Sequence, residues 1–312
     1  MGTPEFAVAS LEAIYLSKHE VVGVVTVPDK PAGRGQQLQM SEVKKFALEH
    51  QLPVLQPVNL KNPEFIEKLQ QLNADLFVVV AFRMLPEAVF GMPPKGTFNV
   101  HASLLPEYRG AAPIHWAVMN GEKKTGVTTF FLNREIDKGD IIARKEVEIG
   151  DEETTGDLHN RLKVLGAELA VETITRIEQG NINPVSQQNI NQDFLKSAPK
   201  IFKEDTFINW ADLAAEIFNK IRGLSPYPGA CTRISTTQGE TIILKCFSAI
   251  TTDCLSNEIA GTWESDGKTY FKVNTKDYQI SLQNIQIQGR NRMNIRQFLQ
   301  GFKIDNYTNI LK

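Results

Sequence analysis

At 312 residues the chain has room for about two domains of about 150 residues each. Its 42% hydrophobic and 22% charged residues describe a soluble globular protein with ample core material, and no run nears the ~20 apolar residues that span a bilayer. A net charge of −2 excludes polyanion binding through overall charge, and three cysteines (Cys231, Cys246, Cys254) in no metal-ligand spacing argue against a disulfide framework and a zinc site.

In chain order, Phe6 to Lys18 is apolar at helical spacing, and EVVGVVTV (20–27) is a β-branched run that predicts a buried strand. PDKPAGRGQQLQM holds two prolines and two glycines among polar residues and predicts no regular element. Ser41 opens a short helix, LPVLQP is a brief strand, Asn62 to Asn73 a helix, and ADLFVVVAF (74–82) the strongest buried strand. GTFNVH, a helix near 113–120, strands around 125–132 and 140–148, and a long helix from Thr155 to Gln179 complete an alternation that indicates an α/β fold with a mostly parallel sheet. NINPVSQQNINQDFLKSAPK is polar and lacks a core pattern, as a linker does. A helix (Trp210 to Arg222) and short alternating segments (TRISTT, TIILKCFSAI, TYFKVN, YQISLQNIQI) then predict a small β-barrel. The expected boundaries are 1–181, a linker at 182–204, and 205–312.

Charge is uneven. Residues 1–200 carry 21 Lys/Arg against 25 Asp/Glu, whereas residues 201–312 carry 13 against 11. Between Asp277 and Asp305 there is no acid, while Arg290, Arg292, Arg296 and Lys303 fall in that gap. The strip reads either as a solvated face or as a phosphate-contacting surface.

The chemistry concentrates in FNVHASLLPEYRGAAPIHWA. Asn99 and His101 are i and i+2 on a strand, so both side chains leave one face, at the strand end where open α/β sheets bind ligands. Asp137, in NREIDKGDII, lies in another loop beside a strand, able to support an imidazolium. Asn, His and Asp together suit acyl transfer to an amine, with His taking the proton and Asn holding the oxyanion. No G-x-S-x-G elbow, P-loop or G-x-G-x-x-G fingerprint occurs.

The set MGTPEFA, PDKPAGRG, VVVAF..LPEAV, FNVHASLLPEYRGAAPI, IDKGDI, KEDTFINW and SPYPGA, in that order, resembles the methionyl-tRNA formyltransferases through nearly the whole chain. NVHASLLP by itself marks only a 10-formyltetrahydrofolate-dependent formyltransferase; the PDKPAGRG loop and the C-terminal segments narrow it. The resemblance implies a Rossmann-like formyltransferase domain followed by an OB-like tRNA-binding barrel. It implies Asn99, His101 and Asp137 as catalytic residues, and Ser103, Leu104, Leu105 and Pro106 as the folate-binding segment. It puts Arg34 of the PAGRG loop toward the tRNA acceptor end and Lys200 and Lys203 near the RNA; Arg290, Arg292 and Arg296 are expected to add phosphate contacts. The implied substrates are 10-formyltetrahydrofolate and initiator methionyl-tRNA, with no metal and no membrane, in a cytoplasmic monomer.

Two departures stand out. The family's A-Y-G-x-x-L-P stretch appears as Ala81-Phe82-Arg83-Met84-Leu85-Pro86, one residue shorter. The GTPEF loop begins at residue 2, whereas an apolar strand precedes it in the family; such a strand would leave 20–27 or 75–82 with an unpaired edge where it is lacking. Competing readings are a formyltransferase for an amino sugar nucleotide or glycinamide ribonucleotide, and a non-catalytic RNA-binding protein.

Overall fold

The computed structural model describes residues 1–32, 37–187, 195–303 and 306–311. The chain divides into two compact units. Met1–Pro113, Lys124–Val147 and His159–Ser197 form the first; Ile114–Lys123, Glu148–Leu158 and Ala198–Lys312 form the second. Two excursions, Ile114–Lys123 and Glu148–Leu158, thus join the second unit ahead of its main segment, which linear boundaries do not capture.

In the first unit α1 (Glu5–Tyr15) follows the GTP segment, and β1 spans only Val24–Val25. The β-branched run is longer than the strand because a ladder extends only as far as its partner backbone, and β4 pairs with two residues. β1 is hydrogen-bonded in parallel to β4 (Val54–Leu55) on one edge. On its other edge Gly2 N–H donates to the Val25 carbonyl. β5 (Phe77–Val80) faces that same gap, where Met1 N donates to the Val78 carbonyl and Gly2 bridges Val80. Met1 and Gly2 are the only described residues joining these two edges by hydrogen bonds, and the gap is a cavity of about 490 Å³ lined by 21–25, 74–78 and Ile174 and Ile177. Burial pushes the Met1 amino group down to about 5.

PDKPAGRGQQLQM is not irregular throughout. β2 (Lys30–Ala32) and β3 (Gln37–Gln39) pair as an antiparallel ladder, because prolines are tolerated where a two-stranded edge asks little of their missing N–H. Gly33 to Gln36, with Arg34, lie outside the described residues. Ser41 Oγ accepts the Lys44 N–H at the start of α2 (Glu42–Glu49), and Asn62 does the same for Glu64 at α3 (Pro63–Gln71), so both helices begin where a capping side chain stands. A single-turn α4 (Glu87–Phe90) precedes β6 (Thr97–His101), which pairs in parallel with β5 and antiparallel with β8 (Lys124–Phe131). The short β7 (Arg109–Gly110), α5 (Pro113–Met119) and β9 (Ile141–Glu148) follow, β9 ending the order β5-β6-β8-β9. α6 (Thr155–Glu178) starts on a reciprocal cap, with Asp157 N–H bonded to Thr154 Oγ1 and Thr154 N–H to Asp157 Oδ2. Gly166 of α6 lies against Val100 and Phe6, so α6 and α1 cover the face of β6 that carries Val100. Asn99 and His101 therefore leave the opposite face.

The stretch expected as a linker is partly built into the first unit. Val185 exchanges both backbone hydrogen bonds with Ile141, and Gln187 is 2% exposed. After β10 (Ser197–Ala198), α7 (Ala214–Gly223) opens the second unit's own fold. Its sheet runs β13 (Trp263–Ser265), β14 (Phe271–Asn274), β15 (Tyr278–Ile287), β12 (Thr241–Leu255), β11 (Ala230–Thr236) and β17 (Tyr307–Leu311), with β16 (Met293–Asn294) on β15. A bridge between Thr262 and Ile310 joins its two ends, curling it into an OB-like barrel. Trp210, Leu244, Phe271, Ile280, Leu282, Phe298 and Phe302 fill the interior, and α8 (Ile295–Gly301) contributes Phe298 to it. Cys231 and Cys246 are buried free thiols and Cys254 an exposed one.

Candidate active site

β6 sets the first two groups. Its pleat buries Thr97, Phe98, Val100 and His101 and leaves Asn99 half-buried. Asn99 is paired through its backbone between Val79 and Phe130, and His101 opposite Thr128. The Asn99 side-chain amide has no hydrogen bond to another described residue, so its donors are open to a ligand.

His101 Nε2 lies 2.9 Å from the Tyr108 carbonyl. A carbonyl only accepts, so Nε2 carries a proton, and in the neutral imidazole Nδ1 then carries the lone pair. Nδ1 faces Asp137 Oδ2 at 3.9 Å, with both side chains largely buried. Asp137 Oδ2 also accepts the Gly110 N–H at 2.9 Å. Tyr108, whose carbonyl holds the imidazole, and Asp137, whose carboxylate faces it, both sit at positive φ (58° and 54°), a costly backbone region that functional loops retain. Gly139 closes the Asp137 loop so tightly that a Cβ there would stand 1.6 Å from the Phe131 carbonyl oxygen.

The SLLP loop is anchored from β8. Thr128 Oγ1 donates to the Ser103 carbonyl at 2.6 Å and accepts the Leu105 N–H at 3.1 Å. Ser103 Oγ donates to the Glu107 carbonyl, and Leu105 is fully buried against Phe130 and Ile141. Leu104 and Pro106 are half-buried, with Leu104 lying close over Gly126. Within this segment Ser103 and Leu105 act on loop conformation, while Leu104, Pro106 and the backbone are what the loop can present. Arg83, in the shortened 81–86 stretch, donates to the carbonyls of Pro57 and Val58.

Models of two families match the chain: Formyl transferase over residues 1–174, and Formyl transferase, C-terminal domain, over 200–303. Methionyl-tRNA formyltransferase of Azobacteroides pseudotrichonymphae is 50% identical over 305 residues, covering 96% of this chain and 94% of that one. The enzyme of Parabacteroides distasonis is 48% identical over 312 residues, covering 99% and 96%. The chain belongs to the methionyl-tRNA formyltransferase family. Among solved structures, the N-formyltransferase from Helicobacter canadensis in complex with folinic acid and dTDP-3-aminofucose shares the fold at 22% identity, with a TM-score of 0.63 over 90% of this chain and 96% of that one. HypX from Aquifex aeolicus in complex with tetrahydrofolic acid does so at 20% identity, with a TM-score of 0.58 over 84% and 47%.

The remaining site expectations of this formyltransferase fall in the second unit. Lys200 and Lys203 are exposed, Lys200 with its ammonium 5.6 Å from the Phe202 ring centroid. Arg290, Arg292 and Arg296 are exposed, with no salt bridge to a described acid. Arg292 lies over Phe247, 4.4 Å from the ring centroid. Among the described residues no three His, Cys, Asp or Glu side chains gather as a metal site needs, and no helix is long and apolar enough to cross a membrane.

Sequence reasoning misses Thr128, which anchors the SLLP loop: it stands in an apolar strand, where its β-branched shape hides the hydroxyl's task. Its one signal is a hydroxyl on a strand beside the SLLP turn.

Proposed function

We propose that the chain transfers the formyl group of 10-formyltetrahydrofolate to the free amino group of initiator methionyl-tRNA, acting as a monomer in the cytoplasm. The single observation that carries the chemistry is the 2.9 Å contact of His101 Nε2 with the Tyr108 carbonyl: it commits the Nε2–H, so in the neutral ring the Nδ1 lone pair stands beside Asp137. Near-full-length identity to enzymes of that name supports the acceptor, and the free thiols suit a reducing compartment.

In this reading the amino nitrogen attacks the formyl carbon while His101 Nδ1 takes the amine proton. The oxygen that becomes negative is met by the Asn99 amide, and Asp137 balances the imidazolium. Collapse breaks the bond from the formyl carbon to N10 of the folate, and the imidazolium returns the proton to that nitrogen. The products are tetrahydrofolate and formylated aminoacyl-tRNA. Leu104 and Pro106 line the donor's side, on a loop that Thr128 fixes.

Comparing formyl transfer to initiator methionyl-tRNA, an amino sugar nucleotide and glycinamide ribonucleotide, under identical donor concentrations, tests the assignment. A kcat/KM highest for the tRNA is expected. Faster transfer to either small acceptor would overturn it.

A further inference from the structure

We propose that Gln187 is a positioning residue for the formyl transfer: it locks the Asp137 loop and the 108–110 loop to each other and so sets the geometry of the charge beside His101. The inference rests on the reading of His101 and Asp137 given above. Gln187 is 2% exposed, and its whole hydrogen-bonding capacity points at those two loops. Its Nε2 donates to the carbonyls of Asp137 at 3.1 Å and Gly139 at 2.6 Å. Its Oε1 accepts from Arg109 Nη2 at 2.8 Å and Nε at 3.3 Å. A side-chain amide has two donor hydrogens and one carbonyl, and all are used.

Each of the two loops makes one contact to the imidazole. Tyr108, adjacent to Arg109, takes the Nε2–H; Asp137 faces Nδ1. Between the loops stand the bond from Gly110 N–H to Asp137 Oδ2 and the Gln187 bridge. The Asp137 backbone is at φ 54°, so it needs an external hold to stay there. Gln187 supplies it from a segment that is itself pinned: Val185, two residues earlier, is paired to Ile141 on the far side of the same loop. Arg109 is half-buried, and burial lowers its pKa by more than the nearby charges of Asp137 and Glu135 raise it. The Gln187 carbonyl, accepting from both Nε and Nη2, fixes the orientation of that guanidinium. Gln187 touches neither His101 nor any reacting atom, so its effect must pass through Asp137.

The test is a double-mutant cycle with steady-state and thermal readouts. Gln187→Met keeps length and flexibility but removes the amide. It is expected to lower kcat roughly ten- to hundredfold, the size that sub-ångström misplacement of a reacting set produces, with KM for the formyl donor unchanged within about twofold. In an Asp137→Asn background the same substitution should change kcat by less than about twofold, because the charge it positions is already gone. Gln187→Glu keeps the volume and the acceptor for Arg109 but loses both donors. It should lose kcat like Gln187→Met, and it decides the case if the Met variant fails to fold. An equal kcat loss from Gln187→Met in both backgrounds, or a loss carried by donor KM, would make the residue merely structural and overturn the proposal, as would unchanged kcat in either variant. If His101→Ala itself retained kcat, the reading of the site would fail instead, and that control separates the two.

Discussion

Asp137→Asn isolates the charge beside His101 with little else changed. Asn is isosteric, its carbonyl can still accept the Gly110 N–H, and it tolerates the left-handed backbone at least as well as Asp. What is lost is a unit negative charge 3.9 Å from Nδ1, the nitrogen that becomes cationic when it takes the amine proton. With an effective dielectric of 20, unit charges at that separation attract by about 4 kcal/mol. His101 and Asp137 side chains are only 7% and 15% exposed, so little of this is screened. At about 1.4 kcal/mol per decade, kcat should fall about 10²- to 10³-fold. Single-turnover transfer at saturating donor and tRNA reads the chemical step directly, and thermal melting confirms an intact fold. A variant that folds normally and keeps kcat within about threefold would refute the role of the charge. A loss accompanied by an equal rise in donor KM would point to a collapsed loop.

The other expectations concern loop anchoring, RNA contact and stability. Thr128→Val keeps the shape but strips the partner from the Ser103 carbonyl and the Leu105 N–H; it should cost about 2–4 kcal/mol in chemical denaturation and raise KM for the formyl donor more than for tRNA. Replacing Arg290, Arg292 and Arg296 together by Ala should flatten the slope of log K for tRNA against log salt by roughly two to three units without changing preference among tRNAs, and an unchanged slope would return the strip to an ordinary solvated face. Asp277 accepts the N–H of Ala214, the first residue of α7, and that bond foremost holds its carboxyl below the ordinary range. A lowered folded-state pKa adds stability above the unfolded value and loses it as pH falls through the folded one. Asp277→Asn should therefore cost about 0.5–1 kcal/mol at pH 7, with the gap to the parent closing below about pH 4; a gap that stays constant into acid would refute the helix-terminus charge effect.

The parts of the fold that were legible are those written in neighbouring residues. β6 announced Asn99 and His101 because a strand's period of two puts them on one face, and Ser41 and Asn62 marked helix starts through their own side chains. Strand length was less legible: 20–27 has β-branched composition throughout, yet only Val24–Val25 pair, since a ladder needs partner backbone that composition does not reveal. In SLLP the residue types do not tell which side chains turn inward. Ser103 and Leu105 did so because Thr128, 25 and 23 residues away, holds their backbone.

Gln187 is the extreme case. Its partners stand 78 residues away at Arg109, 50 at Asp137 and 48 at Gly139. A hydrophobic face leaves a period in consecutive residues, but a buried amide that joins two distant loops leaves none. A segment ordered by such bonds has the same polar composition as one that is not ordered at all. The readings most exposed to this error are therefore linkers that pass near a site, because a reacting set needs charged and polar groups held rigidly, and polar groups are held by hydrogen bonds. That Val185 and Gln187 are fixed while their neighbourhood reads as a spacer follows from this asymmetry.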